Sequence, residues 1–301
     1  MPSVRANHRH GADATSQIED APRRNVIWID DGDPAELALA RDRVAALPGC
    51  RLTAIARVCL PEGPLGRRGN SGPIVHPDVV ILAADRPGRW TPAEALAVSL
   101  RWPLVPILAV STSLADGRRR SGPPLPGVEE IPWHDAAGRL TRWFADRDAG
   151  LPGSLGQPCT ARREERLLEA PSFMPGLRSS EPLPAVSVAA RRLLDLEGIS
   201  ELLLAAGHPV ARRTVGRPHL EDGAGCIVWD ACRLDPDDLE WLRMLLANQP
   251  GTAVVVLESF PRGDSALAAL RAGAAAVLSR PVGLEALGGT LASLAAAKAV
   301  A

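Results

Sequence analysis

The stretch Thr252–Leu287, TAVVVLESFPRGDSALAALRAGAAAVLSRPVGLEAL, decides how this chain is read. It opens with the apolar run Ala253-Val254-Val255-Val256-Leu257, followed by Ser259 and the turn Pro261-Arg262-Gly263. A helix of small residues, Ser265 to Gly273, comes next. A second apolar run, Ala274 to Leu278, ends at Ser279-Arg280-Pro281, and a further helical pattern begins at Leu284. Two continuous apolar runs of strand length, each followed by a helix, predict part of a parallel α/β sheet, whose strands are covered on both faces.

These residues resemble the C-terminal half of a bacterial response-regulator receiver domain. In that family the fourth strand ends at a Ser or Thr, the next helix closes on an Ala-Gly-Ala-like turn, and the fifth strand ends at Lys-Pro. Ser259, Ala272-Gly273-Ala274 and Arg280-Pro281 stand at those places here, with arginine in place of the lysine. The resemblance implies a doubly wound parallel sheet of flavodoxin-like strand order. A fold of this kind hosts many activities, so function has to be argued from the site.

The same pattern is expected a second time, nearer the N-terminus. Asn25 to Ile29 is an apolar strand run that ends on Asp30-Asp31. Pro34 starts a helix reaching about Leu47, with Asp33 as its N-cap. Arg51 to Val58 alternates as a second strand. Pro61 to Pro77, where a receiver has its second helix, is too rich in Pro and Gly to be one and is expected as a loop. Val79 to Leu82 continues as a strand, Thr91 to Trp102 as a helix, Val105 to Val110 as a strand ending near Ser111, Val128 to Ile131 as a strand, and Ala136 to Ala145 as a closing helix. Trp133-His134 replaces the Lys-Pro of the family. Arg120, Pro123 and Pro126 match the spacing of a proline-rich SH3 ligand, a match that Pro-rich loops produce by chance.

In the C-terminal half, Ala185 to Val188 is the expected first strand, with a helix over Val188 to Leu196 as the alternative. Ile199 to Ala206 reads as a helix closed by Gly207, and Pro209 to Val215 as a strand. Cys226 to Trp229 is a strand that ends on Asp230, and Pro236 to Ala247 is an amphipathic helix. The expected organisation is a disordered tail over residues 1–24, a degenerate receiver-like domain over 25–147, a linker over 148–184 with a short charged helix at Ala161 to Glu169, and a second degenerate receiver-like domain over 185–301. Gly150, Gly153 and Gly156 follow a helix instead of a strand, so they are not a nucleotide fingerprint.

Composition bounds the function classes. The formal net charge of -1 over 301 residues gives no general attraction to nucleic acid or to anionic membrane. Lys298 is the only lysine among 34 basic residues and Tyr is absent, a bias that makes some arginines compositional. The five cysteines, Cys50, Cys59, Cys159, Cys226 and Cys232, have neither a CxxC pair nor zinc spacing, which suits reduced thiols in a cytoplasm. No apolar run reaches the ~18 residues of a membrane span, and the polar N-terminus has no signal-peptide core. His8 and His10 sit in that polar tail, where disorder is expected before metal binding.

The chemistry implied by the resemblance is phosphoryl transfer to an aspartate. It requires an acceptor carboxylate, an acidic pair that holds magnesium, a hydroxyl, and a cation for the phosphoryl oxygens. In the first half Asp30, Asp31 and Ser111 are the matching pocket, with Asp30 and Asp31 as metal ligands; the plain reading of the pair is a polar strand end before a helix. Ala83 occupies the acceptor position, and Asp85 serves only if the strand runs longer. In the second half Asp230 is the candidate phosphoacceptor, with Ser259 and Arg280 as phosphate-contacting residues, but Arg191-Arg192 stands where the acidic pair belongs. Neither half is complete. The expectation is therefore a non-catalytic, cytoplasmic signalling protein with no required cofactor, magnesium being the one conceivable ion. Its partners would be other signalling proteins, or a second copy, meeting the last helices of the second half; nucleic acid and membrane are not expected. The alternative is a response regulator with one phosphorylatable receiver, through Asp230. A hydrolase is the third class: Gly263-Asp264-Ser265 is similar to a Ser-hydrolase motif, but an N-cap role for Asp264 or Ser265 accounts for it, and the chain has no G-x-S-x-G, P-loop or HExxH.

Overall fold

The computed structural model describes residues 24–32, 34–57, 76–115, 125–150 and 183–300. The N-terminal part forms β1 (Arg24–Asp30), α1 (Ala35–Ala45), β2 (Cys50–Ala56), β3 (Val79–Ala84), α2 (Pro92–Arg101), β4 (Ile107–Ser111), β5 (Val128–Pro132) and α3 (Ala136–Asp148). The C-terminal part forms β6 (Val186–Ala190), α4 (Leu193–Ala205), β7 (Val210–Val215), β8 (Cys226–Cys232), α5 (Pro236–Asn248), β9 (Ala253–Ser259), α6 (Gly263–Arg271), β10 (Ala276–Arg280) and α7 (Leu284–Val300). Two five-stranded sheets result, ordered β2-β1-β3-β4-β5 and β7-β6-β8-β9-β10, with every strand pair parallel. Both follow the flavodoxin-like order that the resemblance implied. Among the described residues no helix is long and apolar enough to cross a membrane.

The central strands are buried on both faces: all six residues of β3 and the first six of β9 are buried. The edge strands β2 and β7 expose most of their residues, as strands with one free side do. Two helices carry complete capping boxes, Thr91 with Glu94 at α2 and Asp235 with Asp238 at α5, each followed by proline at the first helical position. Trp143 and Phe144 of α3 are buried as expected.

Several boundaries differ from the sequence reading. β6 runs to Ala190, which excludes a helix starting at Val188, and α4 starts at Leu193, six residues before the expected Ile199. Gly198 sits inside that helix and masks its apolar spacing Leu196, Ile199, Leu203. Pro34 is itself the N-cap of α1, while Asp33, its expected cap, lies outside the described residues. α6 begins at Gly263 with Arg262 at the cap, so Asp264 and Ser265 lie in its first turn. β10 starts two residues later than expected, because Ala274 N–H still donates to Ala269 O at 3.0 Å and extends the turn after α6. The tail with His8 and His10, the loop after Pro61, the arginine run at 118–120 and the helix at 161–169 fall outside the described residues.

The two sheets share one packed seam. Its main contact is α3 lying along α7, where Gly138 meets Gly289. A Cβ added to Gly289 would stand 2.1 Å from the Gly138 carbonyl oxygen, so only glycine permits this approach. Beside it, α1 packs on α6, and Ala266 and Ala269 are fully buried in a core that also contains Leu37, Ala40 and Leu140. The face formed by α6, β10 and α7, expected to receive a partner, is thus covered by the chain's own α1 and α3. Ala269 is 0% exposed and is no surface position. Polar groups fix the register of the seam. Glu36 on α1 accepts from the Gly263 N–H at 2.8 Å and so satisfies a free donor at the start of α6. Arg43 donates to Ala275 O at 2.6 Å, and burial lowers the pKa of its guanidinium. Arg139 bridges Glu129, at 2.8 Å, and Glu285.

Gly289→Ala forces a methyl into a backbone carbonyl and is expected to cost about 1–3 kcal/mol, the scale of overpacking in a tight core. Gly198→Ala, with open space around it on α4, is expected to leave stability unchanged or raise it by up to ~1 kcal/mol. Urea unfolding of the two variants against the parent checks the contrast.

Candidate functional site

Parallel strands bring their C-terminal ends to one edge, and side chains from neighbouring strands meet there. At the C-terminal edge of the second sheet this joins Asp230 of β8, Ser259 at the end of β9 and Arg280 at the end of β10, as the sequence implied. Asp230 pairs with Ala190 and Leu257, and Ser259 pairs with Arg280. β8 and β10 lie two strand spacings apart, ~9–10 Å. Only a long side chain crosses that gap above a small residue such as Ser259. Arg280 Nη2 does so and reaches Asp230 Oδ2 at 3.1 Å. The same Nη2 lies 2.8 Å from Asp195 Oδ1, a residue in the first turn of α4 that the sequence reading missed. Asp195 stands several positions past the strand end, off the expected place of an acidic pair.

Asp230 is 1% exposed. Its Oδ1 accepts from the Cys232 N–H at 3.1 Å, while Oδ2 meets Arg280 by charge without an aligned hydrogen bond. Burial raises the Asp230 pKa, and the Arg280 charge opposes the rise without cancelling it. For Arg280, partial burial pulls the pKa down, and the carboxylates of Asp230 and Asp195 outweigh it, so the net shift is upward. A bulge between Asp230 and Cys232 places Cys232 at φ 62 with its Sγ 3.5 Å from Ser259 Oγ. Beside the site, Arg191 donates to Asp238 Oδ2 at 2.7 Å and Arg217 to Asp238 Oδ1 at 2.8 Å. The strand end that should carry acids therefore supplies a cation, used to hold the start of α5. Glu258 is also buried, which raises its pKa against the Ser265 hydroxyl bond.

The edge of the first sheet holds a cavity of about 340 Å³ lined by Asp30, Asp31, Ala83, Asp85, Arg86 and Arg89 among others. The acidic pair is already engaged. Asp30 accepts from Trp28 Nε1 at 2.9 Å and faces Arg41 at 3.5 Å. Asp31 accepts from the Arg57 N–H at 2.9 Å and is bonded to Arg89. Asp85 follows β3 directly and pairs with Arg86 at 3.0 Å and with Arg89 Nε at 3.5 Å. Ser111 departs from its expected role: its hydroxyl donates to Ile131 O at 3.2 Å, across to β5. Strand register explains this. Ala83 pairs with Val110 as Asp230 pairs with Leu257, so the first-sheet counterpart of Ser259 is Thr112, one residue further on. Thr112 is tied to the Asp85 carbonyl at 2.8 Å. By the same register Trp133 is the counterpart of Arg280, since Val110 pairs with Ile131 and Leu257 with Leu278. Trp133 is buried and closes that side of the edge with an indole.

The residues fit a divalent cation poorly at both edges, because guanidinium groups already bind the carboxylates. Among the described residues no group of three or more ligand side chains is arranged to hold a metal ion. The described cysteines are free, and burial pushes the Cys50 and Cys226 thiols up to about 11, where they stay protonated.

Fold and site define an α/β protein of two five-stranded parallel sheets, each with charged groups gathered at its C-terminal edge. No protein-family model matches the chain, and no curated protein matches it. Solved structures match parts of it. A pilus assembly-related protein from Burkholderia pseudomallei is 26% identical over 39% of this chain and 93% of its own, with a TM-score of 0.36. The pilus assembly protein cpaE from Burkholderia thailandensis is 26% identical over 38% and 99%, with a TM-score of 0.35. A response regulator from Thermotoga maritima is 17% identical over 38% and 98%, with a TM-score of 0.34.

An acid whose folded pKa exceeds its unfolded value holds extra protons when folded, so its contribution to stability falls as pH rises through the folded pKa. Asp230→Asn removes that fall. The thermal midpoint of the variant relative to the parent is expected to climb as pH rises from about 4, near the ordinary value of 3.8, toward neutrality. A difference that shrinks with pH would show that the Arg280 contact outweighs burial.

Proposed function

We propose that the chain is a non-catalytic signalling protein of a bacterial two-component-type pathway, built from two degenerate receiver-like domains, residues 25–147 and 185–301, that serve as protein-interaction modules in the cytoplasm. The observation that supports this most is the state of the carboxylates at both sheet edges. Ala83 stands where an acceptor belongs in the first sheet, and Arg191 stands where an acid belongs in the second. Asp230, the remaining acceptor candidate, is buried and lies against Arg280. An in-line attack on phosphorus needs a carboxylate that the phosphodonor can reach, and Asp230 is buried with Arg280 lying between it and Asp195.

The covered seam refines where a partner binds. The α6–β10–α7 face is occupied by α1 and α3, so another signalling protein or a second copy reaches it only when the two parts of the chain separate. Surfaces outside the seam are open without that cost, including α2 with Leu96 and Leu100 both 58% exposed.

Incubation of the full chain with magnesium and a small phosphodonor, followed by intact-mass measurement, is expected to show no stable phosphoryl gain. Pull-downs from the native cell with parent and Asp230→Asn are expected to give the same partner profile. A phosphoryl group that is gained by the parent and lost in Asp230→Asn, together with an altered profile, would establish the phosphorylatable-receiver alternative. A gain lost in Asp85→Ala would place the acceptor in the first sheet.

A further inference from the structure

The two sheet edges differ in sequence, yet each holds the same three-part arrangement. In the first, Arg89 is bonded to Asp31 and lies 3.5 Å from Asp85 Oδ1. In the second, Arg280 lies 2.8 Å from Asp195 and 3.1 Å from Asp230 Oδ2. Among the described residues, Asp85 Oδ1 and Asp230 Oδ2 are both buried oxygens without a hydrogen-bond partner. In each case the orphaned oxygen is the one of its carboxylate that faces the shared guanidinium, which lies closer still to the second acid. A buried carboxylate oxygen left without a donor is costly and marks a place where charge, not hydrogen-bond geometry, holds the group.

We infer that Arg89 and Arg280 are built-in counter-cations, each filling the space between two carboxylates where a divalent ion would otherwise sit, so that the native chain excludes such ions at both edges. A guanidinium is planar and keeps its charge at all accessible pH, so the block is permanent and does not respond to proton concentration. The arrangement also accounts for arginine in place of the shorter ammonium side chain. Arg280 has to cross β9 and reach two acids at once. Arg89 reaches its two acids from the loop before α2, on the opposite side of its sheet edge from β5. The inference concerns ion exclusion and stands apart from the identity of any partner.

The test is Mn²⁺ binding to the full chain by titration calorimetry, with Mn²⁺ as the probe for a hard divalent ion. The parent is expected to show no saturable binding. Arg280→Met at the second edge and the double variant Arg86→Met/Arg89→Met at the first, where Arg86 also pairs with Asp85 at 3.0 Å, are each expected to gain one site, with affinity at least about tenfold above the parent, since the adjacent positive charge is removed. The gain at the second edge should vanish in the double variant Arg280→Met/Asp230→Asn. Circular dichroism checks folding; if Arg280→Met does not fold, Arg280→Gln takes its place with the same expectations. Saturable Mn²⁺ binding by the parent that is lost on Asp230→Asn or Asp31→Asn overturns the inference, as do folded arginine variants that gain no site.

Discussion

The contact between Gly138 and Gly289 is the constraint on which the molecule depends. Two helices approach until a carbonyl of one occupies the space a methyl would need on the other. That approach brings α1 onto α6, buries Ala266 and Ala269, and lets Glu36 reach the first N–H of α6. Two sheets that each have the layout of an independent unit, and each keep a buried cluster of their own on the outer face, thereby share one core between them. Burial of apolar area supplies the driving force, and the polar links at Glu36, Arg43 and Arg139 set the alignment, because each would be left unpaired by a slip along the seam.

Arginine chemistry dominates the functional edges. In both sheets the carboxylates at the strand ends are paired internally, by Arg41, Arg57, Arg86 and Arg89 in one and by Arg280 in the other, while Arg191 and Arg217 hold Asp238 in the first turn of α5. Such pairs, when partly buried, hold a site in one state: removing either member leaves the other charged and poorly solvated. A switch needs two states of similar free energy. In the described edges the charged groups are engaged with one another.

Much of the fold was legible in the sequence. The runs Val79 to Leu82 and Ala253 to Leu257 mark doubly covered strands because no polar residue interrupts them, and Thr91 and Pro236 mark helix starts because capping and proline preferences are local. The site was legible only in part. Asp230, Ser259 and Arg280 come together as expected since each sits at a strand end. Ser111 was misassigned by one residue, because the strand register that makes Thr112 the counterpart of Ser259 is set by pairing with β3. Asp195 and Arg89 were overlooked: they come from helix and loop positions with no fixed offset from the strands.

The apolar runs by themselves marked the strands and helices of two parallel α/β sheets, because buried strands and amphipathic helices differ in their apolar period, while the strand order came with the resemblance and not from the periodicity. Tertiary structure alone decided which carboxylate meets which arginine, and that the apolar face of α6 and α7 is turned inward. Small residues permit close packing against any smooth surface, and only the folded chain shows that its own α1 and α3 supply that surface.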